Sequence, residues 1–255
     1  MNALEASGVV KRYERDGKSL SIVEIAEFAV REGEFVTVIG PSGCGKSTFL
    51  HIVGGFIPPE SGSIRVYGKE VSGPGPDRGM MFQEFSLFPW RSVAGNIAWG
   101  LEAQGFDKDR INEIVDRQLA MIGLTDFRNH YPAELSGGMK QRVALARVLA
   151  FDPKVLLMDE PFGALDAQTR EALQEDFILI SKKLQTTVVF VTHSIDEALV
   201  LSDRIIVLSS RPGRIKKTIV PPFAKSRAAT DLRSLPEFAV CAQEVRNLLR
   251  EERAP

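Results

Sequence analysis

Three short apolar runs punctuate the chain, and each ends abruptly in glycine or polar residues. The run EFVTVIG, residues 34–40, is β-branched and of strand length; it stops at a glycine and gives way to KSTFLHIVGG, which turns helical. The run VLLM, residues 155–158, is apolar at every position. That pattern predicts a strand buried on both faces in a parallel sheet, with Asp159 and Glu160 emerging at its carboxyl end. The run TTVVFVT leads to His193, and Ser194 is placed to cap a helix beginning at Ile195.

Elsewhere the spacing becomes helical. SVAGNIAWGLEAQ and DRINEIVDRQLAMIGL carry apolar residues every three or four positions, and Ser136, Gly137 and Gly138 precede a helix bearing Val143, Leu145, Ala146, Val148 and Leu149. Near the end, Ser234 and Glu237 have capping-box spacing, and Phe238, Cys241, Val245, Leu248 and Leu249 fall on one helical face. VYGKEVSGPGPDRG is turn-rich, as a connection between strands should be. The chain has no internal repeat or low-complexity run.

Composition narrows the class. With 44% hydrophobic and 25% charged residues, 255 residues suit one large globular domain or a domain with an appendage. Lys and Arg total 32 against 33 Asp and Glu, so no basic field argues for nucleic acid and no acidic excess for disorder. Cys44 and Cys241 match neither a disulfide framework nor a metal spacing, which favours a reducing compartment. A basic leader before a long apolar stretch and a run of 18 apolar residues are both missing, so a cytosolic chain without its own membrane span is expected.

The chemistry begins at the first strand-to-helix turn. Gly40, Gly45, Lys46 and Ser47 fit G-x-x-x-x-G-K-[ST], a loop whose crowded N–H groups curl around phosphates that a Cβ would hold off. The expected cradle is Gly40, Pro41, Ser42, Gly43, Cys44, Gly45, Lys46, Ser47 and Thr48, with the helix N-terminus adding its dipole. Lys46 would reach β- and γ-phosphates and the Ser47 hydroxyl would take one site on Mg²⁺. Asp159 would hold the same metal through water, while Glu160 would orient or deprotonate the attacking water. His193, at the same sheet edge, either contacts the γ-phosphate and ties it to Glu160 or is structural. A bulky thiol reagent at Cys44 is expected to block ATP, and ATP to protect the thiol. Ser136, Gly137 and Gly138 make a second helix start suited to anions, serving the same ATP or one held by another copy, although the segment taken alone reads more simply as an ordinary Ser-capped helix.

Taken in order, GPSGCGKST, Gln83 in MMFQEFSLFPW, LSGGMKQR, VLLMDEP, GALDA and His193 resemble the ATP-binding subunit of ABC transporters over roughly residues 4–220. The resemblance implies an α/β fold: a P-loop NTPase core with a mostly parallel sheet, an antiparallel β portion within residues 1–84, and an inserted helical subdomain at about 85–150. Residues 221–255 would be a C-terminal extension with one helix. It also implies ATP and Mg²⁺ as cofactors, with two copies packed head to tail. Ser136, Gly137 and Gly138 of one copy would close on the ATP held by Lys46 of the other. Tyr13 would stack on adenine, Gln83 would couple the γ-phosphate and metal to the membrane partner, and Asp166 would communicate across the dimer.

PDRGMMFQEFSLFPWRSVAGNIAWGLE and the tail RPGRI with SLPEF resemble the importer branch for nitrate, taurine and alkanesulfonates. That branch implies membrane permease subunits, an external solute-binding protein acting indirectly, and a peripheral place on the cytoplasmic face of the membrane. The apolar segment around Phe85, Leu87, Phe88, Pro89 and Trp90 is read as core packing, or through the resemblance as a permease dock. Two other classes share the glycine loop. A soluble P-loop kinase has no use for LSGGMKQR, and an ABC-type ATPase acting on DNA needs coiled-coil insertions or a basic face that this chain lacks.

Overall fold

The structure, a computed structural model, describes residues 1–15, 17–163, 166–224 and 232–251. Ala164 and Leu165 of the GALDA stretch, and residues 225–231 and 252–255 of the extension, lie outside the described residues.

Strands β1 (Asn2–Arg15) and β2 (Lys18–Arg31) pair antiparallel, and β4 (Ser61–Val66) and β5 (Lys69–Glu70) complete a four-stranded sheet in the order β2-β1-β4-β5. A second sheet is built from β3 (Phe35–Ile39), β6 (Arg78–Met81), β7 (Val155–Asp159), β8 (Thr187–Thr192), β9 (Arg204–Leu208) and β10 (Ile215–Ile219). Its order is β10-β9-β3-β8-β7-β6, parallel throughout except for the antiparallel β10 edge. Strands β3, β7 and β8 are buried at every position, which is why their sequences are apolar without alternation.

Helix α1 (Lys46–Val53) lies between the sheets. Its Phe49, Leu50, Ile52 and Val53 share a core with Leu4, Ile25 and Phe28 of the antiparallel sheet and with Val38, Leu157 and Val189 of the parallel one. On the other face, Phe35, Met158 and Phe190 pack beneath α4 (Gly137–Leu149), α5 (Ala167–Leu184) and α6 (Ile195–Leu201). Helices α2 (Val93–Ala103) and α3 (Lys108–Met121) close a third core with α4, around Ile97, Leu101, Leu119 and Val143.

The last helix, α7 (Pro236–Glu251), starts later than the Ser234 and Glu237 spacing predicts. Residues Leu232–Ser234 form a separate 3₁₀ turn, and Pro236 opens the helix, where a missing N–H costs nothing. Phe238, Cys241 and Val245 of α7 belong to the same core as Phe35 and Phe190. Lys216 pairs with Glu251 and Lys217 with Glu244 at its rim. No helix among the described residues is long and apolar enough to cross a membrane.

Parallel strands deliver their ends to one edge. The loop after β3, Gln83 after β6, Asp159 and Glu160 at β7, and His193 after β8 all emerge there, the edge at which open α/β sheets bind ligands.

Candidate nucleotide site

The glycine loop is held open by its own geometry. Gly45, the residue before α1, has φ 102°, and a Cβ there would stand 2.7 Å from Val23 Cγ2 and 2.8 Å from the Ile22 carbonyl. Only glycine allows that conformation against β2. No side chain caps α1, so its dipole end and first-turn N–H groups face the loop. Lys46 is almost wholly buried, its Nζ donating to the carbonyls of Gly40 at 2.9 Å and Pro41 at 3.1 Å. The ammonium therefore sits inside the curl, within reach of whatever anion the loop encloses. Ser42 and Gly43 form its exposed crest.

Acidic residues face this loop across the sheet edge. Ser47 Oγ donates to Asp159 Oδ1 at 2.9 Å, joining positions 112 residues apart. Burial pushes the Asp159 carboxyl above the usual carboxylate range and Glu160 adds to the rise, against the Ser47 hydrogen bond and the positive charge of Lys46. Glu160 breaks from the strand with φ 43°, sending its N–H to Val191 O at 2.9 Å. Its Oε2 lies 2.8 Å from His193 Nδ1. An ionised carboxylate only accepts, so Nδ1 carries the hydrogen and Nε2 is left for another partner. Thr192 steadies this end of β8: its hydroxyl donates to buried Glu197 and accepts from the Ser194 N–H at 3.0 Å. Burial raises the Glu197 carboxyl too.

The donor set suits magnesium. Among the described residues no cluster of three or more His, Cys, Asp and Glu could hold a metal by protein ligands alone. One hydroxyl and one desolvated carboxylate beside a phosphate cradle are what Mg²⁺ uses, since it keeps several waters and takes the rest of its shell from phosphates.

The other sequence-predicted residues are placed less closely. Gln83 is exposed two residues beyond β6, whose neighbour β7 carries Asp159. Tyr13 is exposed on β1 opposite Leu20, with Lys11 Nζ 5.4 Å from its ring centroid; Lys11 in turn pairs with Val23, the residue under Gly45. Ser136 caps α4 by accepting from Met139 N at 3.3 Å, and Ser136 and Gly137 are exposed while Gly138 is buried against Thr169. Asp166 caps α5, and hydrogen bonds from Thr169 hold its carboxyl below the ordinary value.

Cys44 requires a correction. Its side chain turns into the core with 1% exposure, and desolvation raises its thiol pKa above the ordinary value. The loop presents the Cys44 backbone and hides the sulfur, so ready attack by a bulky thiol reagent does not follow.

Three positions escape sequence reading. Buried Asn96 accepts from Phe88 N and donates to the carbonyls of Phe88, Arg91 and Ser92, while Arg147 donates to those of Ser86 and Phe85. Arg211 donates to Gly43 O in the loop crest. All three act on backbone carbonyls, which have no residue type for a motif to match.

A strand-to-helix glycine loop with an internal lysine, a hydroxyl joined to a strand-end carboxylate, and a second carboxylate held by histidine define a P-loop ATPase site. The profile of the family described as ABC transporter matches residues 23–163. The taurine import ATP-binding protein TauB of Roseobacter denitrificans is 44% identical over 253 residues, covering 98% of this chain and 94% of that one. The nitrate import ATP-binding protein NrtD of Synechocystis is 45% identical over 241 residues, covering 92% and 91%. Among solved structures, a dimeric ATP-binding cassette in a post-hydrolysis state, bound to ADP and Pi, aligns with a TM-score of 0.74 at 30% identity over 85% of this chain and 98% of that one. This chain belongs to the ABC transporter family as an ATP-binding subunit.

Proposed function

We propose that the chain is the ATP-hydrolysing subunit of an importer for a small anion or zwitterion of the sulfonate or nitrate kind. The observation that carries the proposal is the convergence of Lys46, Ser47, Asp159 and the Glu160–His193 pair at one sheet edge. The names of the taurine and nitrate import relatives support the solute class.

Lys46 turns its ammonium from the carbonyls of Gly40 and Pro41 to the β- and γ-phosphates as the loop N–H groups of residues 43–48 enclose them. Ser47, Asp159 and Gln83 would hold Mg²⁺, which would neutralise charge on the phosphates when bound. Glu160 accepts a proton from water as its oxygen bonds to the γ-phosphorus and the bond to the β–γ bridging oxygen breaks, leaving ADP and inorganic phosphate. His193 Nδ1–H keeps the Glu160 carboxylate aimed, and Nε2 faces the γ-phosphate.

Tyr13 stacks on the adenine. A second copy completes the site, its Ser136, Gly137 and Gly138 covering the γ-phosphate and its Asp166 lying at the joint. Support comes from the exposure of Ser136 and Gly137 and from the dimeric relative bound to ADP and Pi. The permease docks beside Gln83. In the segment that follows, Trp90 is 73% exposed, and the tilted rings of Trp99 and Phe88 have centroids 4.9 Å apart, an apolar patch of the kind partners cover. The chain would then sit peripherally on the cytoplasmic face of the membrane, with an external binding protein choosing the solute.

The test is to purify the tagged chain from gently solubilised native membranes and assay its ATPase with taurine, alkanesulfonates, nitrate and candidate binding proteins. A co-purifying membrane subunit and one solute that raises turnover are expected. A chain that stays soluble or arrives with DNA overturns the importer reading.

A further inference from the structure

The turn between β9 and β10, residues 209–214, emerges at the same sheet edge as the nucleotide site. Strand β9 pairs with β3 in parallel, so the turn flanks the glycine loop on the side away from Asp159 and His193. It is fastened to β2. Gly213 N–H donates to Ile22 O at 2.8 Å, Gly213 O accepts from Glu24 N at 3.0 Å, and Arg214 Nε and Nη2 both donate to the Glu24 carboxylate. A Cβ at Gly213 would collide with the Cys44 carbonyl, so glycine is required for the turn to lie this close to the loop.

From that platform Arg211 reaches the loop crest. Its Nε at 3.2 Å and Nη2 at 3.0 Å both donate to the Gly43 carbonyl, 168 residues away in sequence. In a trans peptide the C=O and the following N–H point in opposite directions. With the Gly43 carbonyl drawn outward, the Cys44 N–H points inward, where it meets Pro41 O at 3.3 Å. Two cations therefore hold the loop's carbonyls from opposite sides, Lys46 from within and Arg211 from without. Lys46 must release its carbonyls to engage phosphates, and Arg211 need not.

We propose that Arg211 is a positioning residue for nucleotide binding, pinning the Gly43–Cys44 peptide so that the loop's N–H groups face the phosphates before ATP arrives. This rests on the nucleotide site proposed above. A guanidinium fits the task because it stays protonated and offers two donors in a fixed fork. Preorganising the loop removes part of the ordering cost from the binding step, so the benefit falls on affinity.

The test compares Arg211→Ala, Arg211→Lys and, as a control on exposed α3, Arg110→Gln with the unaltered chain, using fluorescent ATP and ADP analogues at equilibrium, steady-state ATPase, and hydrogen exchange at residues 43–46. Arg211→Ala is expected to weaken both nucleotides about tenfold, the scale of a lost charge-assisted hydrogen bond, and to raise KM without a matching fall in kcat. Arg211→Lys should recover part of the affinity, and Arg110→Gln should bind as the unaltered chain does. Loop amides should exchange faster in Arg211→Ala before any nucleotide is added. Unchanged affinity in Arg211→Ala, an equal loss in Arg110→Gln, or a fall in kcat alone overturns the proposal. If the unaltered chain binds no ATP, the functional reading fails, while the exchange comparison still judges the pin.

Discussion

Glu160 and Asp159 are neighbours with different partners, His193 and Ser47, and each makes a different variant informative. Glu160→Gln keeps the length of the side chain and an oxygen to accept from His193 Nδ1–H, while removing the base. Hydrolysis should fall by about 10²–10⁴, the usual contribution of general base catalysis, with ATP still bound and an ATP-loaded dimer accumulating on a sizing column. Undiminished turnover would remove Glu160 from its role. Asp159 is desolvated, so its ionised form strains the fold wherever no cation balances it. Its folded-state pKa lies above the unfolded one, so its favourable contribution is complete below the unfolded value and is lost as pH rises through the folded value. Asp159→Asn keeps the acceptor for Ser47 and removes that cost. In the absence of nucleotide it should melt higher by about 2–4 °C, roughly 1 kcal/mol for a chain of this size, while Mg²⁺-dependent ATPase is lost. A lower melting temperature at neutral pH would show that the charge is stabilised by something other than the expected cation. The placement of these residues was legible in the sequence because wholly apolar runs predict parallel strands, whose polar ends emerge at one sheet edge. Cys44 was misread because the motif gives its position in the loop and not the direction of its side chain.

Helices α2, α3 and α4 were readable from their three- and four-residue spacing, whereas the segment feeding α2 was not. Residues 85–92 have little periodicity, and what orders them is a hub of side chains bonded to main-chain groups. Asn96 Oδ1 accepts from Phe88 N at 2.8 Å, and Nδ2 donates to the carbonyls of Ser92 at 3.0 Å, Arg91 at 3.0 Å and Phe88 at 3.2 Å. Arg147 adds bonds to two more carbonyls and places its guanidinium 5.6 Å from the Phe88 ring. Asn96→Ala should cost about 1–3 kcal/mol by leaving buried groups unpaired, and should shift the fluorescence of Trp90 and Trp99 as the segment loosens. Asn96→Asp should be worse at neutral pH, because a buried carboxylate would face three carbonyl oxygens, and acidification should narrow the gap between the two variants. An Asp variant as stable as the Ala variant at neutral pH would dismiss the hub. The long hairpin of β1 and β2 was similarly hard to read, since register shifts between Asn2 and Leu4 and between Lys11 and Arg12 interrupt the alternation that marks a half-buried strand.

Assembly of these elements makes the C-terminal extension part of the core on which the catalytic edge is built. Phe223, Leu232, Phe238, Cys241 and Val245 are buried in one cluster with Phe35, Phe190 and Leu199, and the rings of Phe223 and Phe238 stack 5.7 Å apart. Arg233 joins the extension to Asp196 at the start of α6, immediately after the His193 turn. Each large apolar side chain in such a place contributes about 1.5–3 kcal/mol, so their combined loss is comparable with the 5–15 kcal/mol that holds a domain of this kind together. A chain ending at residue 220 should therefore aggregate or form a compact state that binds a hydrophobic dye and lacks fixed near-ultraviolet dichroism. Phe238→Ala is the milder form of the same experiment, expected to cost about 3–5 kcal/mol while ATP binding survives at low temperature. If the shortened chain melts within a few degrees of the full one and binds ATP equally, the extension is a separable appendage and its burial against β3 and β8 contributes little. Cooperative loss of both fold and nucleotide site would instead tie the His193 turn, through α6, to a helix that carries none of the nucleotide-binding motifs.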